Sequence, residues 1–285
     1  MPQKRIIVTL VVIIAALSIA ATGLALFSGG GAEPSSITSV RGQPVVLYGK
    51  GLYHHMSADV AVQGIAQDWV TLCLGVPLLL LSLLLSLRGS LRWRLVLSGT
   101  LGYFFVTYLF YLVMAMYNPL FLVYTALLGT TFFALAFALT SFDLNHLARN
   151  ANPAVSVKVA GIFLLVNSLL IGMLWMSVIV PPLIDGSIYP RSLEHYTTLI
   201  VQGFDLGLLL PLSVFSGVLL IRRSPLGFLL GPVYLVFLSL LMTALVSKIA
   251  FMGSQGQPIM PAIFIIPVLA SGAIYFSARL IRNIS

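Results

Sequence analysis

Charge is what this chain has least of. Asp, Glu, Lys and Arg make up 8% of its 285 residues, against 59% hydrophobic. A soluble domain carries roughly a quarter charged. One globular core cannot bury that much apolar surface, so lipid must serve as its solvent. Cysteine is nearly absent as well. The single Cys73 excludes an intrachain disulfide and any multi-cysteine metal site, and says nothing about redox compartment. The chain also lacks a Walker A sequence, a Rossmann glycine pattern, GxSxG, CxxC, HExxH and the histidine spacing of a bis-haem four-helix cytochrome. Without these the familiar signatures of nucleotide, redox and hydrolase chemistry are missing. No catalytic residue and no cofactor is assigned.

What remains is a series of apolar runs, each near the ~20 residues a bilayer crossing needs. They cover Ile6–Phe27, Val70–Leu87, Leu95–Met116, Leu120–Leu139, Val159–Val180, Leu199–Ile221, Leu226–Val246 and Ile263–Ala278. A closed barrel would show short alternating segments, so these spans are helical. The expected fold is all-α, a polytopic transmembrane bundle of about eight spans. The first run follows Lys4-Arg5 and is long for a signal peptide. No small-x-small cleavage site precedes Gly29-Gly30-Gly31, so it reads as a retained anchor.

The balance of +8 is topology signal. With the N-terminus in the cytoplasm, inner segments hold eleven of the fifteen basic residues, leaving Arg41, Lys50, Arg191 and Lys248 outside. Glu33, Asp59, Asp185 and Glu194 fall outside, and Asp143 inside. The positive-inside rule therefore puts both termini in the cytoplasm of a cell whose plasma (inner) membrane holds the protein. No nucleic acid is needed to explain the charge.

The runs fall into two similar sets. Gln67-Asp68 leads to Pro77, then Arg88 eleven residues on, then Ser90. Gln202 and Asp205 lead to Pro211, then Arg222 eleven residues on, then Ser224. Gly102-Tyr103 in one set answers Gly231 and Tyr234 in the other. Asn118-Pro119 answers Gln257-Pro258. This reads as a repeat of four helices, residues 1–158 and 159–285. An even number of helices per unit makes it a parallel repeat, with its axis along the membrane normal. It sets Asp68 and Asp205 at equivalent depths, although the Asp-to-Pro spacings differ by three residues.

The longest polar segment is 28–69, on the outer side. Its Gly/Ser/Pro start reads as a flexible linker, and Pro44–Tyr48 has strand-like composition. Ser57 is placed as an N-cap with Asp59 in the first turn. Gly64, Asp68, Thr71 and Gly75 then share a helical face that should look at protein or a water-filled cavity. Glu194, Thr198, Gln202 and Asp205 are expected to share a face entering the sixth span.

A carboxylate inside a membrane helix costs roughly 2.5–3.5 kcal/mol at the helix centre and marks a candidate site with a partner to be named. For Asp205 the partner is Lys248. The competing reading is a purely structural Asp205–Lys248 ion pair. Asp68 is expected to be shallower and solvated, unless it faces Asp205 across the repeat axis, where one carboxylate would hold a proton. Tyr103, Thr107 and Tyr111 form a hydroxyl-bearing stripe, either packing or a pocket wall. His54-His55, Asp59 and Glu194-His195 have no metal-ligand spacing, and no metal site is assigned. Asn167 and Ser168 read as contacts between helices.

Gln67-Asp68, Leu101-Gly102-Tyr103-Phe104, Tyr117-Asn118-Pro119-Leu120-Phe121-Leu122-Val123-Tyr124 and Gln202 with Asp205-Leu206-Gly207 together resemble uncharacterised prokaryotic multi-pass membrane proteins. The resemblance spans about Leu47 to Arg223 and implies a membrane location and no activity. The expected function is binding or transport of a small solute or cation through an outward-facing acidic pocket. Asp68, Asp205, Gln202 and Lys248 would be its polar groups, and Tyr103 and Tyr111 its wall. The alternatives are a membrane enzyme acting on a lipid or quinone, and a non-catalytic assembly or sensory protein with a protein partner at 28–69.

Overall fold

A computed structural model describes residues 3–31, 33–150, 157–257 and 259–284. Pro258, and the stretch 151–156 of the loop Thr140–Lys158, lie outside the described residues. The protein is 77% helical. Eight helical spans are long and apolar enough to cross a membrane, and each contains or overlaps a run read from the sequence. It is an all-α polytopic bundle.

The helices, in order, are α1 (Lys4–Phe27), α2 (Ala58–Val70), α3 (Val76–Leu87), α4 (Leu91–Met114), α5 (Phe121–Thr140), the short α6 (Leu144–Asn150), α7 (Val157–Ile184), α8 (Ile200–Phe204), α9 (Leu210–Ile221), α10 (Pro225–Ser254) and α11 (Ala262–Arg282). α2 and α3 are one continuous span, as are α8 and α9. Each span is interrupted by a single π-helical turn, Thr71–Gly75 in the first and Asp205–Leu209 in the second. Proline is the cause. Pro77 and Pro211 have no N–H to give and would clash with the carbonyl four residues back. The ladder slips by one, so Val76 N–H reaches Thr71 O and Leu210 N–H reaches Asp205 O. Cys73 sits in the first π turn, exposed on the outside of the bundle.

The π turns stand at the same distance ahead of their prolines. That common register pairs Thr71 with Asp205, and Asp68 with Gln202. The expectation that Asp68 and Asp205 are equivalent is corrected: they sit three residues apart in register, about one helical turn.

α1, α2–α3, α4 and α5 pack as one group, with α5 closing against α1. α7, α8–α9, α10 and α11 form a second group. Here α11 meets α7 over a smaller area, with the Phe163 ring tilted against Phe276 at 5.1 Å and lying against Gly272. The groups join through α4 on α10 and α10 on α2. Gly99 makes the first contact possible: a Cβ there would lie 2.5 Å from Val236 Cβ and 2.7 Å from Val233 O. Gly161 and Gly217 do the same for α7 on α9.

The face carrying residues 28–57 and 185–199, opposite the termini, is called distal here. Segment 28–57 is folded over much of its length. β1 (Ser36–Thr38) pairs antiparallel with β2 (Pro44–Val46), Ile37 opposite Val45. Bridges Gly31–Lys50 and Leu47–Ser57 tie down its two ends, which corrects the flexible-linker reading of its start. Ser57 caps α2, its Oγ accepting from Val60 N–H at 3.4 Å. The folded segment before α2 forms a distal cap, and this cap also grips the second group. Arg41 donates to the carbonyls of Glu194 and Thr197 and lies 5.2 Å from the Tyr189 ring centroid. Tyr196 OH accepts from Ser57 N–H at 3.3 Å.

Candidate functional site: two intramembrane carboxylates and a lysine

Asp68 is 3% exposed, which corrects the expectation of a shallow, solvated side chain. The predicted small-and-polar face of α2 is real and looks at protein. Gly64 lies under the Tyr53 ring, and Gly75 under Tyr103 and Phe104. That leaves Asp68 and Thr71 turned toward the tyrosines. Tyr111 OH donates to Asp68 Oδ1 at 2.8 Å. Tyr53, carried in by the cap, donates to Oδ2 in a short hydrogen bond. Burial, with the Asp68 charge beside it, holds the Tyr53 hydroxyl well above the usual tyrosine range, so it stays a donor. Beside Asp68 in the chain, Gln67 Nε2 donates to Tyr103 OH at 2.8 Å and to Thr107 Oγ1 at 3.2 Å, while Thr71 Oγ1, one turn on, meets Tyr103 OH at 2.9 Å. Tyr108 and Tyr124 stack behind at 6.3 Å and flank Tyr111.

Asp205 is in a different setting. It is half-buried. Its Oδ2 accepts from Trp175 Nε1 at 2.7 Å. Its Oδ1 takes no donor among the described residues. Gln202 is half-buried too and makes no side-chain hydrogen bond among the described residues. Glu194 and Thr198 do not extend this face. The helix begins only at Ile200, and Glu194 sits in a turn with φ +49°. That expectation is corrected. Burial raises the Glu194 carboxyl above its ordinary range and lowers the His195 imidazole.

Lys248 on α10 lies within electrostatic reach of both Asp205 and Asp68. It forms no hydrogen bond and no direct ion pair among the described residues. The neighbouring Ser247 Oγ donates to Ala66 O at 3.4 Å and anchors α10 on α2. Phe110 of α4 packs edge-on against Phe204 of α8 at 5.7 Å. These contacts place the lysine at the junction of the two groups.

The structure therefore brings Asp68, Tyr103 and Tyr111 into one network, and sets Lys248 between that network and Asp205. Sequence reasoning missed Tyr53, Tyr124 and the role of Trp175. Only Trp175 left a signal, as a tryptophan too deep for an interfacial belt. Among the described residues no three His, Cys, Asp or Glu side chains gather as metal ligands. No family model, curated protein or solved structure matches the chain.

Proposed function

We propose that this integral membrane protein binds and transports a small polar solute at the junction of its two helical groups. The observation that carries the reading is Lys248, held near two carboxylates and bonded to neither. An unpaired ammonium and a carboxylate oxygen on adjacent helices, both under-satisfied, are costly to maintain in a membrane. They complement a solute bearing both charges, whose amine would take Asp205 Oδ1 and whose acid group would take Lys248. Gln202 adds a free amide at the same mouth. Asp68 supplies a second negative charge behind the lysine, fixed by Tyr53 and Tyr111, with Tyr103 holding the turn below. A monovalent cation at Asp205 is the simpler variant.

The same reading takes the two groups as a parallel repeat, residues 1–158 and 159–285, in a prokaryotic inner (plasma) membrane with both termini cytoplasmic. The matched π turns and the joint through α4 and α10 support the repeat, and the basic residues of the termini side support the orientation.

The test is a thermal-shift titration of purified protein in detergent, with Trp175 fluorescence as a second channel. Zwitterionic amino acids should raise Tm in the wild type and not in Asp205→Asn or Lys248→Met. Sodium or potassium acting alone would favour the cation variant. Equal shifts in wild type and both variants would sink the site.

A second reading has one observation behind it. The distal end of α7 carries a shallow, open depression of about 540 Å³ along Met176, Ser177, Val180, Pro181, Ile184 and Asp185. An apolar trough ending in a carboxylate suits an amphiphile, as a membrane enzyme acting on a lipid would need. Co-purified lipid lost on Val180→Trp, detected by native mass spectrometry, would favour it. A partner protein at 28–69 is the third possibility; it predicts that Asp205→Asn leaves the protein's role intact while proteolytic cleavage within the loop before α2 abolishes it.

A further inference from the structure

Asn167 is 1% exposed, yet neither its Nδ2 nor its Oδ1 has a partner among the described residues. Ser216 Oγ, on a fully buried side chain, is equally alone. Buried amides and hydroxyls in native proteins are almost always paired, with protein or with ordered water. Leaving one unpaired costs about 1–3 kcal/mol. A buried serine in a helix can always turn its hydroxyl back to a carbonyl of the preceding turn. Ser82, five residues after Pro77, does so, donating to Leu79 O at 3.0 Å. Ser216, five residues after Pro211, does not.

The two orphans belong to a longer line. Beyond Asp205, the buried residues of its span are Leu209, Ser213, Ser216, Gly217 and Leu220. Tyr234 of α10 donates to Leu209 O at 2.9 Å. Ser213 Oγ donates to Leu164 O on α7 at 3.2 Å. Asn167 sits one turn beyond Leu164 on the buried stripe of the same helix. Polar atoms thus follow one another from Asp205 to Ser216 inside the second group. After Ser216 the line stops. Leu220 is fully buried with its methyls against Gly231, and Arg222 lies beyond it.

We infer that ordered water molecules occupy the second helical group from Asp205 to Ser216, held by Asn167, Ser213, Tyr234 and Ser216, as a half-channel closed by Leu220. Water fits the orphans because each site needs a donor and an acceptor at once, and a buried water typically makes about three hydrogen bonds. The water sites stand on this geometry alone. Their use as the path by which a proton leaves Asp205 toward the termini side, past Leu220, rests on the solute reading above.

X-ray radiolytic footprinting tests the waters directly, because hydroxyl radicals form where water is bound. In wild-type protein in detergent, Leu164 and Leu209, which border the line, should be labelled at least tenfold faster than Leu101, a side chain of the same chemistry fully buried in the first group. Equal, slow labelling of all three would overturn the inference, and this comparison needs no variant. In Asn167→Leu, labelling at Leu164 should fall at least fivefold. Unchanged labelling there, or a higher Tm with no change in labelling, would overturn it too. The proton role is read separately, as acidification of pyranine-loaded proteoliposomes under a potassium diffusion potential. Asn167→Leu should abolish it while the solute-induced Tm shift remains. Proton entry unchanged in Asn167→Leu would overturn the role. Loss of the Tm shift in wild type would fall on the solute reading and leave the water sites standing.

Discussion

Two carboxylates a turn apart in register show how one backbone device serves opposite ends. Each lies at or just before a π turn forced by a proline. In the first group Asp68 is enclosed, with both oxygens taken by tyrosines and the cap pressed on top. In the second, Asp205 takes one indole N–H and leaves one oxygen without a donor among the described residues. The difference comes from the neighbours. The distal half of α1 is packed at Ser18, Ala21, Thr22 and Ala25, while beyond Ile171 α7 buries only Pro182. A carboxylate that is fully satisfied stabilises a fold. One left under-satisfied is available to a ligand.

Four experiments put that contrast to the test. The largest effect belongs to Asp68→Ala, which removes the carboxylate acceptor of Tyr53 and Tyr111, leaves them only each other and Gly64 O, and should cost about 3–5 kcal/mol. Asp205→Ala strands only an indole N–H and should cost about 1–2 kcal/mol. Equilibrium unfolding of both in one detergent compares them, and equal losses would refute the contrast. Next, Tyr53→Phe removes one hydrogen bond to a charged group, about 1.5–3 kcal/mol. It should also loosen the cap, seen as faster amide exchange over 44–57. Third, Gly99→Ala forces α4 off α10 and should cost about 1–3 kcal/mol. Gly102→Ala, whose new methyl meets Phe237 at an ordinary 3.8 Å, should be nearly neutral.

The smallest effect concerns pH. Burial lowers the His195 pKa below its ordinary 6.5, so the folded protein binds that proton less readily than the unfolded chain. Its contribution is fully present above about pH 6.5 and is lost as pH falls through the depressed folded value. His195→Gln should flatten the decline of Tm between pH 7 and 5. An unchanged slope would show that the distal loops do not sense this group.

Much of the frame was legible in the sequence because membrane helices obey few rules. Length and hydropathy alone place eight spans, and Ser57 announces itself as a cap. The Gly64–Gly75 face was readable for the same reason: its period is that of the helix. The partners of the carboxylates were not. Tyr53 reaches Asp68 from a loop, and loop geometry has no period. Trp175 meets Asp205 across thirty residues of chain, and Lys248 was named as its partner by exclusion. The register error had a local cause as well. Counting back from Pro77 and Pro211 was the safer alignment, since the prolines fix the π turns. Aligning the aspartates instead hid the pairing of Asp68 with Gln202.

The lone thiol has a practical consequence. Cys73 lies inside the first π turn on its lipid-facing side, and the chain has no other cysteine to compete. A nitroxide or fluorophore attached there would need no engineered background. It would report continuously on whether that turn keeps its slipped ladder or snaps back to α-helical pairing as the protein works.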